Sequence, residues 1–496
     1  MEETGHQETS DEFEWSADDT AKQAGTSWVD VAWLMISDIV GTSVLCFVGV
    51  AVEVGSGVAS ALIVSLFPMS VYVSVCMART RALVVKLANV REESEANTAT
   101  MGEVAGALMR CKWAGDIVIV VVYGYTLLGQ GSYLLTLGNS LQELLYTSGM
   151  CIYTAVAWGC LVLAVPVILV RRLGESVAIC FGNLLLIVAV LAVSFYDISV
   201  NANRSSCVDS PLVAPGLTIL MVMGAATRVV YSYAGQWMYF EMMETMAKPS
   251  DFPKAFVVTG PFMVITYLIV ALVGYHLGVR SSQLLDGMPE GIPMRVASFL
   301  LFLHVLVVYL IKSVVLQQYV HRVIAPNDVD ARSAVSYLKH GGLGVGMLAF
   351  CFLVANSVPF FSQLIGLIGG LLAGPINFIF PLVLYLIANG RLSFAGEASC
   401  SDSSDTDGAA IEDRASAAMQ ASSLSAAMRG LRLVPRWEAL VIALISAFTL
   451  LTMFLGVADV LEDIVRLNGD YGAPFSCHAY RGIEKAAAAN STLCPA

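Results

Sequence analysis

The sequence predicts an all-α polytopic membrane protein with about 11 transmembrane helices. Of its 496 residues, 57% are apolar and 13% are charged, whereas soluble proteins carry about 25% charged residues. Runs such as 117–142 and 151–170 hold no charged side chain, and a membrane-spanning helix needs about 20 such residues. Because these runs lack the alternation of a membrane β-barrel, helices are expected. A disordered chain is excluded and a soluble enzyme is disfavoured.

Charged residues and Pro/Gly clusters bound the apolar runs. They place spans near 31–55, 57–78, 114–142, 151–170, 176–196, 213–245, 256–278, 296–320, 342–357, 360–388 and 437–457. The resulting organisation is an acidic cytosolic tail (1–30), a first five-helix repeat (31–196), an extracytosolic loop (197–212), a second five-helix repeat (213–388), a disordered cytosolic linker (389–436), an eleventh helix (437–457) and an extracytosolic tail (458–496). The linker prediction follows from its content of Ser, Ala and Asp, which bury little apolar surface.

The distribution of Lys and Arg predicts the orientation. With the N-terminus in the cytosol, the inside segments hold nineteen Lys and Arg, the outside segments hold six and the spans hold two. This bias follows the positive-inside rule. Much of the net charge of −12 lies in residues 2–19, which lack the basic and apolar order of a signal peptide. We therefore expect no nucleic-acid partner, a cytosolic N-terminus and an extracytosolic C-terminus.

The predicted outer side carries candidates for covalent modification. N-glycosylation sequons occur at Asn203 and Asn490. Four cysteines there are disulfide candidates, namely Cys151, Cys207, Cys477 and Cys494. The other cysteines form no CxxC pair, so no metal site is expected. These features fit either the plasma membrane or a vacuolar or endosomal membrane.

Small polar residues interrupt the first and sixth spans, at Gly41-Thr42-Ser43 and at 232–235. These spans open two consecutive five-span sets, as in inverted-repeat transporters whose broken helices form a substrate site at the membrane midplane. An unwound segment exposes backbone groups that a polar ligand can bind. The alternative is that small residues serve helix packing alone.

The two breaks suit opposite charges. The N–H groups of Thr42, Ser43 and Val44 begin a half-helix, whose positive end favours a carboxylate. The carbonyls before Ser232 end another half-helix and suit an ammonium group. Together they predict a site for a zwitterion, meaning an amino acid. The small side chains of Gly41, Ser43 and Gly235 leave room for a neutral substrate of moderate size.

Two longer motifs resemble the amino acid/auxin permease family, in the amino acid-polyamine-organocation superfamily. The first runs from Tyr231-Ser-Tyr-Ala-Gly235 through Glu241 to 246–254, and the second combines 358–361, 364–370 and 379–382. Weaker similarities occur at 41–45, 101–105 and 129–141. The resemblance implies a LeuT-type fold with eleven helices, a cytosolic N-terminus and secondary active transport of amino acids. The chain departs from the family at 46–49, where members usually carry a Leu-Pro pair.

Charged residues inside the spans are costly and mark functional positions. Glu53 and Arg228 both fall in the outer halves of the first and sixth spans, so we hypothesise an outer gate ion pair. At 1.5 Å per residue, Glu53 lies about 15 Å beyond Ser43 and Arg228 about 6 Å outside Ser232, which requires long side chains or tilt. The alternative is that either side chain only reaches water at the mouth. Because Arg228 is positively charged, an acidic amino acid is also a possible substrate.

On the predicted cytosolic half, Asp38 precedes the first break and Lys312 lies in the eighth span. The resemblance implies that these helices are neighbours, around the position of a sodium ion in sodium-coupled relatives. A lysine ammonium there favours a proton as the coupling ion, or uncoupled exchange, over sodium. The alternative is that Lys312 extends to the cytosolic headgroups. His304 is a further titratable candidate.

Five tyrosines are candidates to line a pocket: Tyr123, Tyr125, Tyr133, Tyr231 and Tyr233. Tyr233 is the preferred one because it lies within the second break.

These features together predict a proton-coupled secondary transporter of neutral amino acids that works by alternating access, with the amino acid and the lipid bilayer as partners. An amino acid sensor with little net transport and a sodium-coupled symporter are the alternatives. The sequence carries no phosphate loop, HExxH motif or nucleophile motif, so neither a catalytic residue nor a cofactor is expected. No obligate protein partner is inferred.

Overall fold

The computed structural model describes residues 25–39, 41–90, 98–171, 176–201, 210–326, 333–401, 422–471 and 474–475. Its α-helices are α1 (Trp28–Ile39), α2 (Phe47–Val54), α3 (Ser56–Val90), α4 (Met101–Met109), α5 (Lys112–Leu144), α6 (Ile152–Leu169), α7 (Ser176–Asn201), α8 (Ile219–Ser232), α9 (Tyr239–Thr245), α10 (Ala255–His276), α11 (Ile292–Ile324), α12 (Ala334–Ser357), α13 (Phe361–Ile368), α14 (Phe380–Ser401), α15 (Ser423–Leu433), α16 (Arg436–Leu451) and α17 (Val457–Tyr471). Over these residues the predicted all-α polytopic class is confirmed.

Helices of membrane-spanning length dominate the described residues. Nine of them are long and apolar enough to cross a bilayer, and one further pair, 28–37 with 42–54, qualifies together with a bend of 49° at its break. The segment 219–245 is also broken, because α8 ends at Ser232 and α9 begins at Tyr239. The interruptions predicted in the first and sixth spans are therefore confirmed.

Several helices extend beyond the predicted apolar runs. Helix α3 continues to Val90, α12 begins at Ala334 and α17 reaches Tyr471. Local capping supports one of these extensions, since the Ser333 side chain accepts a hydrogen bond from the Ser336 N–H at 3.2 Å. Hydropathy marks where a helix lies in lipid, so it misses turns that continue into water.

The prediction of a disordered linker over 389–436 is wrong at both ends. Helix α14 continues to Ser401, and 423–433 form α15. Gly390 and Gly430 allow α15 to pack closely on α14. A Cβ on Gly390 of α14 would overlap the Ala426 backbone of α15, and a Cβ on Gly430 of α15 would overlap the Leu386 backbone of α14. The two helices thus pack backbone against backbone.

A buried carboxylate connects the last spanning segment to the rest of the protein. Glu438, at the start of α16, accepts hydrogen bonds from the hydroxyls of Tyr72 at 3.1 Å and Tyr385 at 3.2 Å. Arg79 pairs with the same carboxylate at 3.2 Å. Since these partners lie on α3 and α14, Glu438 joins three membrane helices.

Candidate functional site

The first break lies between α1 and α2. Gly41 has an extended backbone, and its carbonyl accepts a hydrogen bond from the Val44 N–H at 3.2 Å, which opens the 3-10 helix Thr42–Cys46. The N–H groups of Thr42 and Ser43 therefore have no acceptor within that helix. The prediction of a free N–H at Val44 is wrong, because that group is already bonded.

The second break follows α8. The Tyr233 N–H donates to the carbonyls of Val229 at 3.1 Å and Val230 at 3.2 Å, and the Ala234 N–H donates to the Tyr231 carbonyl at 3.2 Å. Each of these carbonyls keeps a second lone pair for a ligand.

Two side chains from other helices support the second break. The Tyr267 hydroxyl on α10 donates to the Ser232 carbonyl at 2.9 Å. The Asn377 side chain accepts from the Trp237 N–H at 2.9 Å and donates to the Ala373 carbonyl at 2.9 Å. They replace backbone bonds that the break removes, which lipid could not replace.

A cavity lies where the two breaks meet. Its volume is about 30 Å³, measured as the space open to the centre of a water molecule, enough for about two waters. It is lined by Gly41, Thr42, Ser43, Tyr125, Thr126, Gly129, Tyr133, Tyr231, Ser232, Ala234, Trp237 and Lys312. Residues of both breaks therefore share one cavity with side chains of α5 and with Lys312 of α11.

Most of the predicted substrate residues lie around this cavity. Six of them line it, namely Gly41, Thr42, Ser43, Tyr125, Tyr231 and Ser232. Val44 and Gly235 do not. The predicted breaks therefore locate the cavity along the backbone correctly, but they do not identify every side chain that lines it.

Tyr233 does not line the cavity, and its preference over the other tyrosines is a wrong prediction. Its hydroxyl donates to the Ile63 carbonyl on α3 at 3.0 Å. Its ring packs edge-on against Tyr267, with ring centroids 5.3 Å apart. The chain turns within the break, which directs this side chain towards α3. Tyr123 is also outside the cavity, and its hydroxyl donates to Glu241 at 3.1 Å.

Sequence reasoning missed four residues of the cavity, which are Thr126, Gly129, Ala234 and Trp237. Gly129 lies four residues after Tyr125 on α5, so helical spacing from that tyrosine could have indicated it. Thr126 directly follows Tyr125, and helical spacing does not place it on the same face. Ala234 was part of the predicted break. Trp237 lies just beyond the break, and no separate sequence signal marked it.

Lys312 extends into the cavity rather than towards the headgroups. Its ammonium donates to the Tyr133 hydroxyl at 3.1 Å. It also lies 5.2 Å from the Tyr133 ring centroid and 5.7 Å from that of Trp237. These distances are in the range of cation–π interactions. The side chain thus brings its ammonium group into the cavity that both breaks line.

The predicted partner of Lys312 lies outside the described side chains. Asp38 belongs to α1, but its side-chain position falls outside the described residues, so the pairing stays a prediction. His304 is fully buried on α11, and its Nδ1 lies 3.1 Å from the Asn183 carbonyl.

Glu53 and Arg228 form a two-point ion pair. The Arg228 guanidinium donates to the two Glu53 carboxylate oxygens at 2.6 Å and 2.5 Å, and to the Ser362 hydroxyl at 3.1 Å. The Arg228 side chain is 3% exposed, against 28% for Glu53. We call Glu53, Arg228 and Ser362 the outer tie, after the predicted orientation. The 3-10 turn and the bend in the first segment bring the pair together.

A second contact between the same broken segments lies on the other side of the cavity. The Thr26 N–H donates to the Thr245 carbonyl at 2.9 Å, and the Ala247 N–H donates to the Thr26 carbonyl at 3.1 Å. The Thr26 hydroxyl adds bonds to the Thr245 carbonyl at 3.0 Å and hydroxyl at 3.2 Å. We call residue 26 with 245–247 the inner tie. The cavity is thus bounded by a tie on each side.

The predicted modification sites fall mostly outside the described residues. This holds for Asn203, Asn490, Cys207, Cys477 and Cys494, whose roles stay predictions. Cys151 lies within the described part and is disulfide-bonded.

These features define a class: a helical membrane protein with two broken helices around a central cavity that is tied on both sides. A family model described as transmembrane amino acid transporter protein matches residues 24–402. The chain belongs to this family, as its two long motifs indicated.

Curated relatives match over shorter segments. The N amino acid transport system protein of Neurospora crassa is 26% identical over 166 residues, which are 32% of this chain and 35% of that protein. The amino acid transporter AVT1D of Arabidopsis thaliana is 29% identical over 173 residues, covering 33% of this chain and 30% of that protein. The matched segments span about a third of these relatives' length.

Two solved structures are similar over most of the chain. A nucleobase-cation-symport-1 family transporter, closed with bromovinylhydantoin bound, has a TM-score of 0.45 and 13% identity, covering 89% of this chain and 97% of that one. A mutant manganese transporter of Eremococcus coleocola has a TM-score of 0.41 and 12% identity, covering 88% and 94%.

Proposed function

We propose that this protein is a secondary active transporter that moves neutral amino acids across a membrane by alternating access, with the proton as coupling ion. The observation that carries the proposal is the cavity at the meeting point of the two breaks. The family membership and the names of the curated relatives support an amino acid as the substrate.

The cavity offers separate partners for the two charges of an amino acid. The N–H groups of Thr42 and Ser43, at the start of a helix, are the proposed partners of the carboxylate. The carbonyls of Tyr231 and Ser232 carry the partial negative charge of a helix end and accept the ammonium group. Among the charged side chains, Lys312 alone lines the cavity in the described residues, so acidic substrates are the alternative that the uptake assay must test.

Transport requires that the two ties open in turn. Closure on both sides shields the substrate, and opening either side exposes it to one compartment only. Lys312 supports the proton as coupling ion, because its ammonium group lies beside the cavity and can take the place of a sodium ion. The distribution of Lys and Arg supports a cytosolic N-terminus, which we also propose. We propose the plasma membrane or a vacuolar or endosomal membrane as the location of the protein.

The test is uptake of radiolabelled alanine, leucine, glutamine and glutamate by liposomes containing the purified full chain. We expect an inward pH gradient, but not a sodium gradient, to drive uptake of a neutral amino acid. Binding without flux would favour a sensor, and sodium-driven uptake would overturn proton coupling.

A filled cavity should stop this uptake. Ser43 is 6% exposed and lines the cavity, so the larger side chain of Ser43→Leu should occupy space that the substrate needs. A loss of about 1.4 kcal/mol of substrate binding would lower uptake about tenfold. Ser65→Leu is the matched control, because Ser65 is exposed on α3. Equal effects of the two substitutions would contradict the assignment of the site.

A further inference from the structure

Glu241 forms a contact between the two repeats on the predicted cytosolic side. It lies on α9, and its carboxylate accepts a hydrogen bond from the Tyr123 hydroxyl on α5 at 3.1 Å. The Tyr123 ring in turn stacks on Tyr319 of α11, with centroids 4.2 Å apart. The carboxylate is only partly exposed. This contact lies beyond the cavity on the side of the inner tie.

The charged groups around Glu241 leave it without a cation in contact within the described part of the chain. From α4 it faces Glu103, whose carboxylate accepts from the Thr100 N–H at 3.0 Å. On α3, Arg81 pairs instead with Glu244 at 3.0 Å. Arg79 on α3 pairs with Glu438, and Lys254 pairs with Asp251. The other charged and titratable groups at this end of the neighbouring elements include Lys86, Lys112, Asp116, Tyr123, Lys248, Tyr319, His321 and Arg322.

A carboxyl group in this setting responds to hydration. Removal from water favours the protonated form, the hydrogen bond from Tyr123 favours the charged form to a smaller extent, and the nearby Glu103 carboxylate again favours the protonated form. Full hydration favours the charged form. The partners of the contact lie in different repeats, since α5 belongs to the first and α9 to the second. Alternating access moves one repeat against the other, so the contact with Tyr123 is lost as this side opens.

We propose that Glu241 binds the coupling proton while the predicted cytosolic side is closed and releases it to water when α9 separates from Tyr123. A carboxylate oxygen takes up the proton, and a water molecule accepts it on release. The inference rests on the proposed function and assigns the proton to a particular side chain. Tyr123 is a positioning residue, because its hydroxyl orients the carboxylate.

The experiment compares uptake by liposomes containing the wild-type chain, Glu241→Gln and Glu244→Gln, with the amino acid of the panel that the wild type takes up best. One pH unit supports up to about tenfold accumulation for one coupled proton. Glu241→Gln mimics the protonated side chain, so accumulation should no longer depend on the pH gradient. Exchange with internal unlabelled amino acid should persist, which shows that the variant is folded. Glu244→Gln, on the same helix, should retain the wild-type dependence.

Full pH dependence in Glu241→Gln would overturn the assignment while leaving the transporter proposal intact. Absence of amino acid uptake by the wild type would instead overturn the proposed function and this inference with it. Tyr123→Phe provides a second measurement: it should shift the midpoint of the pH dependence to higher pH, because the lost hydrogen bond favoured the charged carboxylate. Exchange should stay within about fivefold, as expected for one lost hydrogen bond of about 1 kcal/mol. A sodium dependence that disappears in Glu241→Gln would mean that the carboxylate binds sodium rather than a proton.

Discussion

The outer and inner ties join the same two broken segments by different chemistry. The outer tie is a side-chain ion pair in which Arg228 bonds both oxygens of Glu53. The inner tie is a backbone bridge between residue 26 and 245–247, reinforced by the Thr26 hydroxyl.

The different chemistry of the two ties determines which substitutions should weaken each of them. Side-chain ion pairs depend on particular charges, and loss of one partner leaves the other buried and unpaired. Backbone bonds persist through most substitutions and fail only when the chains cannot approach each other. Substitutions that remove a charge should therefore weaken the outer tie. Substitutions that push the two backbones apart should weaken the inner tie.

The largest expected effect is loss of charge in the outer tie. Glu53→Gln leaves the nearly buried Arg228 without its anionic partner, which costs about 3–5 kcal/mol when an ion pair is buried. We expect lower thermal stability in detergent and loss of uptake. The charge swap Glu53→Arg with Arg228→Glu should recover part of both.

An exposed ion pair provides the control for this experiment. Arg466 pairs with Asp463 at 2.7 Å on α17, and its side chain is 68% exposed. Arg466→Gln should change stability by less than about 1 kcal/mol. If the charge swap performs no better than the single substitutions, the pair does not act as a gate.

A smaller effect is expected from the backbone of the inner tie. A Cβ at Gly25 would overlap the backbone of Met246 and Ala247, so Gly25→Ala should separate the bridge. With an overpacking cost of about 1–3 kcal/mol, the Thr26 and Ala247 amides should exchange hydrogen about ten- to a hundredfold faster. Mass spectrometry of exchange measures this. Gly342→Ala is the control, because a Cβ there meets nothing within 4 Å.

The smallest effect is expected from the Thr26 hydroxyl. Thr26→Val removes its bonds to Thr245 and keeps the shape of the side chain and the backbone bridge. We expect a cost of about 1 kcal/mol or less, hence at most about a fivefold change in the same exchange rates. An effect as large as that of Gly25→Ala would show that the side chain, rather than the backbone, holds this tie.

The fold was largely predictable, because lipid penalises charges and unpaired backbone groups over whole segments. The prediction was weaker where water replaces lipid. Helix α15 is one example: its interaction with α14 depends on the close approach of Gly390 and Gly430, and neither glycine is part of a local pattern that predicts a long-range contact.

Within the site, the charged residues inside the spans predicted contacts more accurately than the positions of residues in the two breaks did. The pairing of Glu53 with Arg228 followed from the cost of isolated charges in a membrane. Tyr233 was misplaced because side-chain direction in an irregular segment does not follow helical spacing. Val44 was misjudged because the break continues as a 3-10 helix, whose first backbone bond uses the Val44 N–H. The supporting residues Tyr267 and Asn377 come from distant parts of the sequence.

The glycine contact between α14 and α15 has a mechanical consequence. Each glycine brings its own helix onto the backbone of the other, at Ala426 and Leu386. A larger residue at either position would force the two helices apart, so these two glycines set how closely α15 can pack on α14.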